Sequence, residues 1–152
     1  MRKRVIGEQA PAERTWLDLE RLAEVEITSE DPAHPIELAL KGDGPGWRAS
    51  TPGEQVIRLL FTEPVTLRSI DLRFDEEGAA RTQEFVLRWS PDRGRSYREI
   101  VRQQYTFSPP GTTREIEHYA VDLEGVTAFE LRVVPDLAGG APRASLGRLH
   151  LA

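Results

Sequence analysis

Apolar residues recur at every second position in a series of short runs, and that pattern sets the fold class. Leu22, Val25 and Ile27 come close to alternation in the stretch from Leu22 to Thr28. Val56 to Phe61 is apolar except for Arg58, as in a strand covered on both faces. From Leu67 to Phe74 the alternation is clean, with Ile70, Leu72 and Phe74 on one face and Ser69, Asp71 and Arg73 on the other. Phe85, Leu87 and Trp89 form the next run, then Tyr97, Ile100 and Val101. Tyr119, Val121 and Leu123 follow, then Phe129, Leu131 and Val133, and finally Leu146, Leu149 and Leu151. So many short runs with turn residues between them predict an all-β antiparallel sandwich. One short helix is predicted after the first strand, over Pro35 to Lys41, with proline at its start and Gly42 as its stop. Residues 1–15 are polar and aperiodic and read as a flexible arm, leaving residues 16–152 as the domain.

The connections carry more functional information than the strands. Glu63-Pro64, Ser90 to Gly94 and Glu124-Gly125 are tight, and they fall at alternate connections. Residues 29–53, 75–81, 104–113 and 135–143 are long. In an antiparallel sandwich alternate connections share an end, so the long loops are expected together, where binding sites are built on a rigid scaffold.

Composition narrows the chemistry. The chain has 152 residues and a formal net charge of -5, so a basic nucleic-acid footprint is not expected. With no cysteine there is neither a disulfide nor a thiolate site. No 18-residue apolar run is present, so no membrane helix is expected. The start, Met1 to Glu8, is basic without a following apolar stretch, and the expected location is the cytoplasm. Neither G-x-S-x-G, H-E-x-x-H, a P-loop nor G-x-G-x-x-G occurs, which points away from an enzyme. His34, His118 and His150 lack metal-ligand spacing, and no metal or other cofactor is expected.

The candidate ligand-binding residues are Arg48, Asp75, Arg81, Gln104, Tyr105, Phe107 and Arg143, drawn from the long connections and their flanks. The stretch Arg102 to Pro110 combines two amides, two aromatics and aliphatic hydroxyls, which suits a flat sugar or base. The opposing reading has Tyr105 and Phe107 anchoring a long loop. Trp47 and Trp89 read as core. Arg48, Arg81, Arg102, Arg114 and Arg143 are set against Glu30, Asp31, Asp43, Asp75, Glu76, Glu77 and Asp136, so this end does not read as a DNA surface.

Three segments carry a family resemblance. Thr28-Ser29-Glu30-Asp31, the short helix ending Leu40-Lys41-Gly42-Asp43-Gly44, and Trp47 resemble the opening of discoidin (coagulation-factor C-type) domains. Phe85 to Tyr97, with its Ser-x-Asp-x-Gly turn, and Ala144 to Leu151 resemble that family's middle hairpin and closing strand. Ile27 to His34 followed by Trp47 to Glu54 resembles a branch of the same fold, the N-terminal domain of the single-strand-break DNA repair scaffold. The resemblance implies a galactose-binding-like jelly roll and a non-catalytic binding module for a carbohydrate or similar polar small ligand. The repair-scaffold branch implies the alternative, an intracellular module that binds a protein partner. Sugar-binding relatives hold calcium with the Asp of the Asp-Gly turn and a Glu on the closing strand. Here Asp43 matches the first and Arg148 replaces the second, so a calcium site is not expected and an Arg148–Asp43 ion pair is.

Overall fold

The computed structural model describes Met1, residues 15–42 and residues 44–152. The expected N-terminal arm lies almost wholly outside the described residues, and so does Asp43. The elements are α1 (Leu19–Leu22), β1 (Ala23–Ile27), α2 (Ile36–Lys41), β2 (Trp47–Arg48), β3 (Gln55–Asp75), β4 (Arg81–Ser90), β5 (Arg98–Phe107), β6 (Arg114–Val134), β7 (Ser145–Leu146) and β8 (Arg148–Leu151).

The predicted helix is α2. Pro35 stands at its start and Gly42, at φ 77°, ends it in the left-handed conformation with its N–H on Leu38 O. The one-turn helix α1 and the short pair β2–β7 were not expected from the pattern. Two residues per strand are too few to show a period.

The largest difference lies in β3 and β6. The sequence reading divides each into two strands at Glu63-Pro64 and Glu124-Gly125, whereas each is one element of 21 residues. They pair with one another along their whole length, from Gln55↔Val133 to Asp75↔Arg114. A straight strand of that length would reach about 70 Å, against a domain radius of gyration of about 15 Å, so the ribbon has to fold. Register shifts between Leu60 and Ser69 mark the corner, and Glu63, Pro64, Glu124 and Gly125 sit in it.

The folded ribbon is shared by both layers. One half of β3 and β6 lies with β1, β4 and β5 in the order β1-β3-β6-β4-β5. The other half pairs with β8 through Ile70↔Leu151 to Arg73↔Arg148. Ile57, Leu59 and Phe61 from the first half and Ile70, Leu72 and Phe74 from the second are buried in one core with Phe85, Phe129 and Leu149. Phe74 and Phe85 stack at 5.2 Å across it. Trp47 is fully buried, its Nε1–H on Ser29 O at 3.1 Å. Trp89 is only half-buried, beyond a bulge after Leu87, with the Arg98 guanidinium over its ring.

Because the ribbon doubles back, both ends of β3 reach the same end of the sandwich. Gln55 meets Ser29 and Thr51, and Asp75 O accepts the Ser145 hydroxyl. Leu137 N–H reaches Thr82 O, and Gly53 N–H reaches Pro142 O. The four long connections therefore do gather at one end. The compact Ser90–Gly94 turn lies at the other, where the Asp92 carboxylate takes the hydroxyls of Ser90 and Ser96, both at 2.6 Å.

Candidate functional site

Where the loops converge, a cleft of about 420 Å³ opens, lined in part by His34, Arg48, Arg73, Asp75, Glu77 and Arg114. Its floor is built on strand ends. Asp75, the last residue of β3, receives Arg73 Nε at 3.1 Å on one oxygen and Arg114 Nε at 2.7 Å on the other. Arg73 also donates to Gly44 O, which ties the floor to the loop after α2. Gly147 backs this pair: a Cβ there would lie 2.7 Å from Arg73 Nε and 2.8 Å from Asp75 Oδ2. A side chain at 147 would thus displace the ion pair.

The walls are equally fixed. Arg48 N–H donates to His34 O at 3.1 Å, and Asp31 N–H donates to Arg48 O at 2.8 Å. The His34 imidazole stands 3.6 Å from Asp31, whose carboxylate is held below its ordinary pKa chiefly by the Ala33 N–H. Glu76 accepts the Gly78 N–H at 2.8 Å and lies 2.7 Å from Arg81 Nε, pinning the connection between β3 and β4. The Arg48 side chain is exposed and meets no carboxylate among the described residues.

The seven candidates separate into three groups. Arg48 and Asp75 line the cleft, and Arg48 continues into an adjoining groove of about 520 Å³ with Arg143. Arg81 is buried behind them. It donates to Pro135 O at 2.7 Å, and burial pulls its pKa down against the opposing charge of Glu76. Its guanidinium lies 5.3 Å from the Phe107 ring centre. Gln104, Tyr105 and Phe107 do not line the cleft, because β5 runs on through Phe107 and strand alternation turns them apart. Gln104 donates outward to Glu84 at 2.9 Å, Phe107 is fully buried, and Tyr105 packs edge-on against it with its hydroxyl on Arg114 O. From Arg102 to Phe107 the stretch is strand, with Phe107 fully buried and Tyr105 half-buried against it.

His34, Arg73, Glu76, Glu77 and Arg114 also line the cleft and stand outside the candidate set. Arg73 carried a signal, as the last polar position of a clean alternation running into a long connection. Arg102 belongs elsewhere, on β5 with Glu84 and Glu99. The expected Arg148–Asp43 pair falls on a residue outside the described ones. Arg148 pairs with Asp71, one strand over, at 2.9 Å. Among the described residues no cluster of three or more His, Cys, Asp or Glu could hold a metal ion, and no helix is long and apolar enough to cross a membrane.

No protein-family model and no curated protein matches the sequence. Solved structures do. The family 32 carbohydrate-binding module of C. perfringens NanJ, solved with galactose, superposes with a TM-score of 0.67 at 12% identity, covering 90% of this chain and 97% of that one. The module of AlyQ, solved with 4,5-unsaturated mannuronic acid, gives 0.56 at 18% identity over 91% and 98%. The N-terminal domain of the single-strand break repair protein XRCC1 gives 0.58 at 14% identity over 86% and 97%. The fold is the galactose-binding-like sandwich. Both resemblances seen in the sequence have a counterpart among these structures.

Proposed function

We propose that this chain is a non-catalytic carbohydrate-binding module and that its ligand occupies the loop-end cleft. The supporting observation is the cleft itself: guanidinium, carboxylate and imidazole groups held on strand ends and backbone-bonded loops. Saccharide hydroxyls are both donors and acceptors, and they are recognised by such fixed, mixed polar groups. Little ordering is then left to offset on binding. Structural neighbours solved with sugars support the same reading.

A glycan array followed by thermal-shift titration tests it. At least one saccharide should raise the melting temperature, and Arg114→Ala should weaken that saccharide about tenfold by removing a charged donor. An array blank across neutral and acidic glycans would end this reading. The likeness to XRCC1 supports a second one, a module that binds a protein partner. Capture of a defined partner by the wild-type chain and equally by Arg114→Ala would favour it.

A further inference from the structure

The groove beside the cleft holds two arginines with no ion-pair partner among the described residues. Arg48 pairs with Ser145 in the β2–β7 register, and Ala49 N–H extends that ladder to Ala144 O at 2.9 Å. Residue 143 therefore lies two positions before the partner of residue 48, a diagonal neighbour across the ladder, within reach of long side chains. Arg48 and Arg143 line the same groove, both are exposed, and neither meets a carboxylate within ion-pair distance among the described residues. Two cations lining one groove repel each other, and an anion held between them would relieve that repulsion.

Three of the nearby acids have closer partners. Glu76, which lines both cleft and groove, is taken by Arg81 and the Gly78 N–H. Asp75 is shared by Arg73 and Arg114. Asp31 bonds the Ala33 N–H and His34 and feels Arg143 only at longer range. Glu77 lines only the cleft. In a chain of net charge -5, two arginines without an ion-pair partner among the described residues thus line one groove. The remaining lining is small, with Gly78, Ala79, Ala141 and Pro142, so no aromatic face is offered to a sugar ring. Charge has to supply what stacking does not.

We propose that the Arg48–Arg143 groove is an oxyanion subsite and that the saccharide bound here is acidic. This rests on the carbohydrate reading above. A uronate carboxylate and a sulfate ester present the same planar or tripodal oxygens to a guanidinium fork, and either would sit between the two arginines. Neutral portions of the ligand would lie in the adjoining cleft.

Isothermal titration with three oligosaccharides of equal length tests it: an oligogalacturonate, a sulfated galactan fragment and a neutral galactan fragment. At 50 mM salt, one acidic oligomer should bind about tenfold tighter than the neutral one, and the preference should shrink at 500 mM. Arg48→Gln and Arg143→Gln should each lower acidic binding about fivefold or more, and Arg143→Gln, which lines only the groove, should leave neutral binding unchanged. Arg95→Gln, at the opposite end, should change nothing. Which acidic oligomer binds distinguishes carboxylate from sulfate. Equal binding of acidic and neutral oligomers, or indifference to both groove variants, overturns the acidic subsite and leaves the carbohydrate reading standing. Failure of all three oligomers, with a blank array, overturns both.

Discussion

Two glutamates on β6 show how far a neighbour outweighs burial. Glu130 and Glu115 are 0% and 1% exposed. Glu130 sits in a cross-strand row on the outer face, Glu26–Arg58–Glu130–Arg88–Glu99, where charge alternates across five strands. Arg58 reaches it at 2.8 Å and Arg88 at 2.6 Å. Burial works to raise its pKa, but the hydrogen bonds and charges of the two arginines outweigh that, and it titrates below its ordinary value. Glu115 lies beyond the ribbon's corner, on the inner face. The Gln83 amide donates to it at 3.3 Å, and its other oxygen has no hydrogen-bond partner among the described residues. Burial first, then the neighbouring Glu117, push it up to about 8. The same residue type on the same strand is an anion in one place and a neutral acid in the other at pH 7.

The largest expected effect comes from stripping the first glutamate of its partners. Arg58→Met with Arg88→Met keeps the apolar stems over the sheet and leaves a buried carboxylate uncompensated. Loss of about 3 kcal/mol is expected in urea unfolding at pH 7. Adding Glu130→Leu to that pair should recover most of it, since an apolar row needs no counterions. A double variant as stable as the wild type would show that water reaches Glu130 and that the row is not buried in any energetic sense.

Much of this arrangement was readable beforehand, and the reason is periodicity. Clean alternations such as Leu67–Phe74 and Phe129–Val133 placed strands and faces correctly, and Pro35 with Gly42 bracketed the helix. What escaped was everything set by pairing rather than by period. Glu63-Pro64 and Glu124-Gly125 look like hairpin turns in isolation. Only the facing register makes them two sides of one corner. The end at which the loops gather survived that error, because a corner reverses direction as a turn does. Arg48, Asp75 and Arg143 come to the cleft and the groove because they flank long connections. Phe107 was misplaced because strand β5 continues past the polar Gln103-Gln104, which a sequence pattern treats as loop. The alternating charge row was invisible, since Glu26, Arg58, Arg88, Glu99 and Glu130 come together only through four registers.

The second glutamate carries the next effect, with the opposite dependence on pH. Below its unfolded pKa of about 4.5 the Glu115 carboxyl is neutral in both folded and unfolded chains, so its burial costs nothing extra. As pH rises from there through about 8, the unfolded chain ionises first and stability is lost. Glu130, lowered in the fold, contributes stability above its ordinary range that is lost as pH falls through its folded value. Glu115→Gln should therefore be near neutral at pH 4 and stabilise by about 2 kcal/mol at pH 9. A chemical-denaturation series across pH reads this directly. An unchanged alkaline limb in Glu115→Gln would mean that Glu115 ionises in the folded chain as freely as in the unfolded one.

The smallest effect should come from the ends of the row. Glu99 is opposite Arg88 in register, yet its carboxylate bonds Arg102 at 3.0 Å, and that pair is about half exposed on both sides. Arg102 keeps Glu84 at 2.7 Å in any case. An exposed pair gains little over solvated charges and is screened by salt. Glu99→Gln should change unfolding free energy by no more than about 0.5 kcal/mol, with the difference gone at 1 M salt. A cost above 1 kcal/mol that survives high salt would mean that the row acts as one cooperative network from edge to edge. Glu130's low pKa would then depend on all five members, not on its two arginines alone.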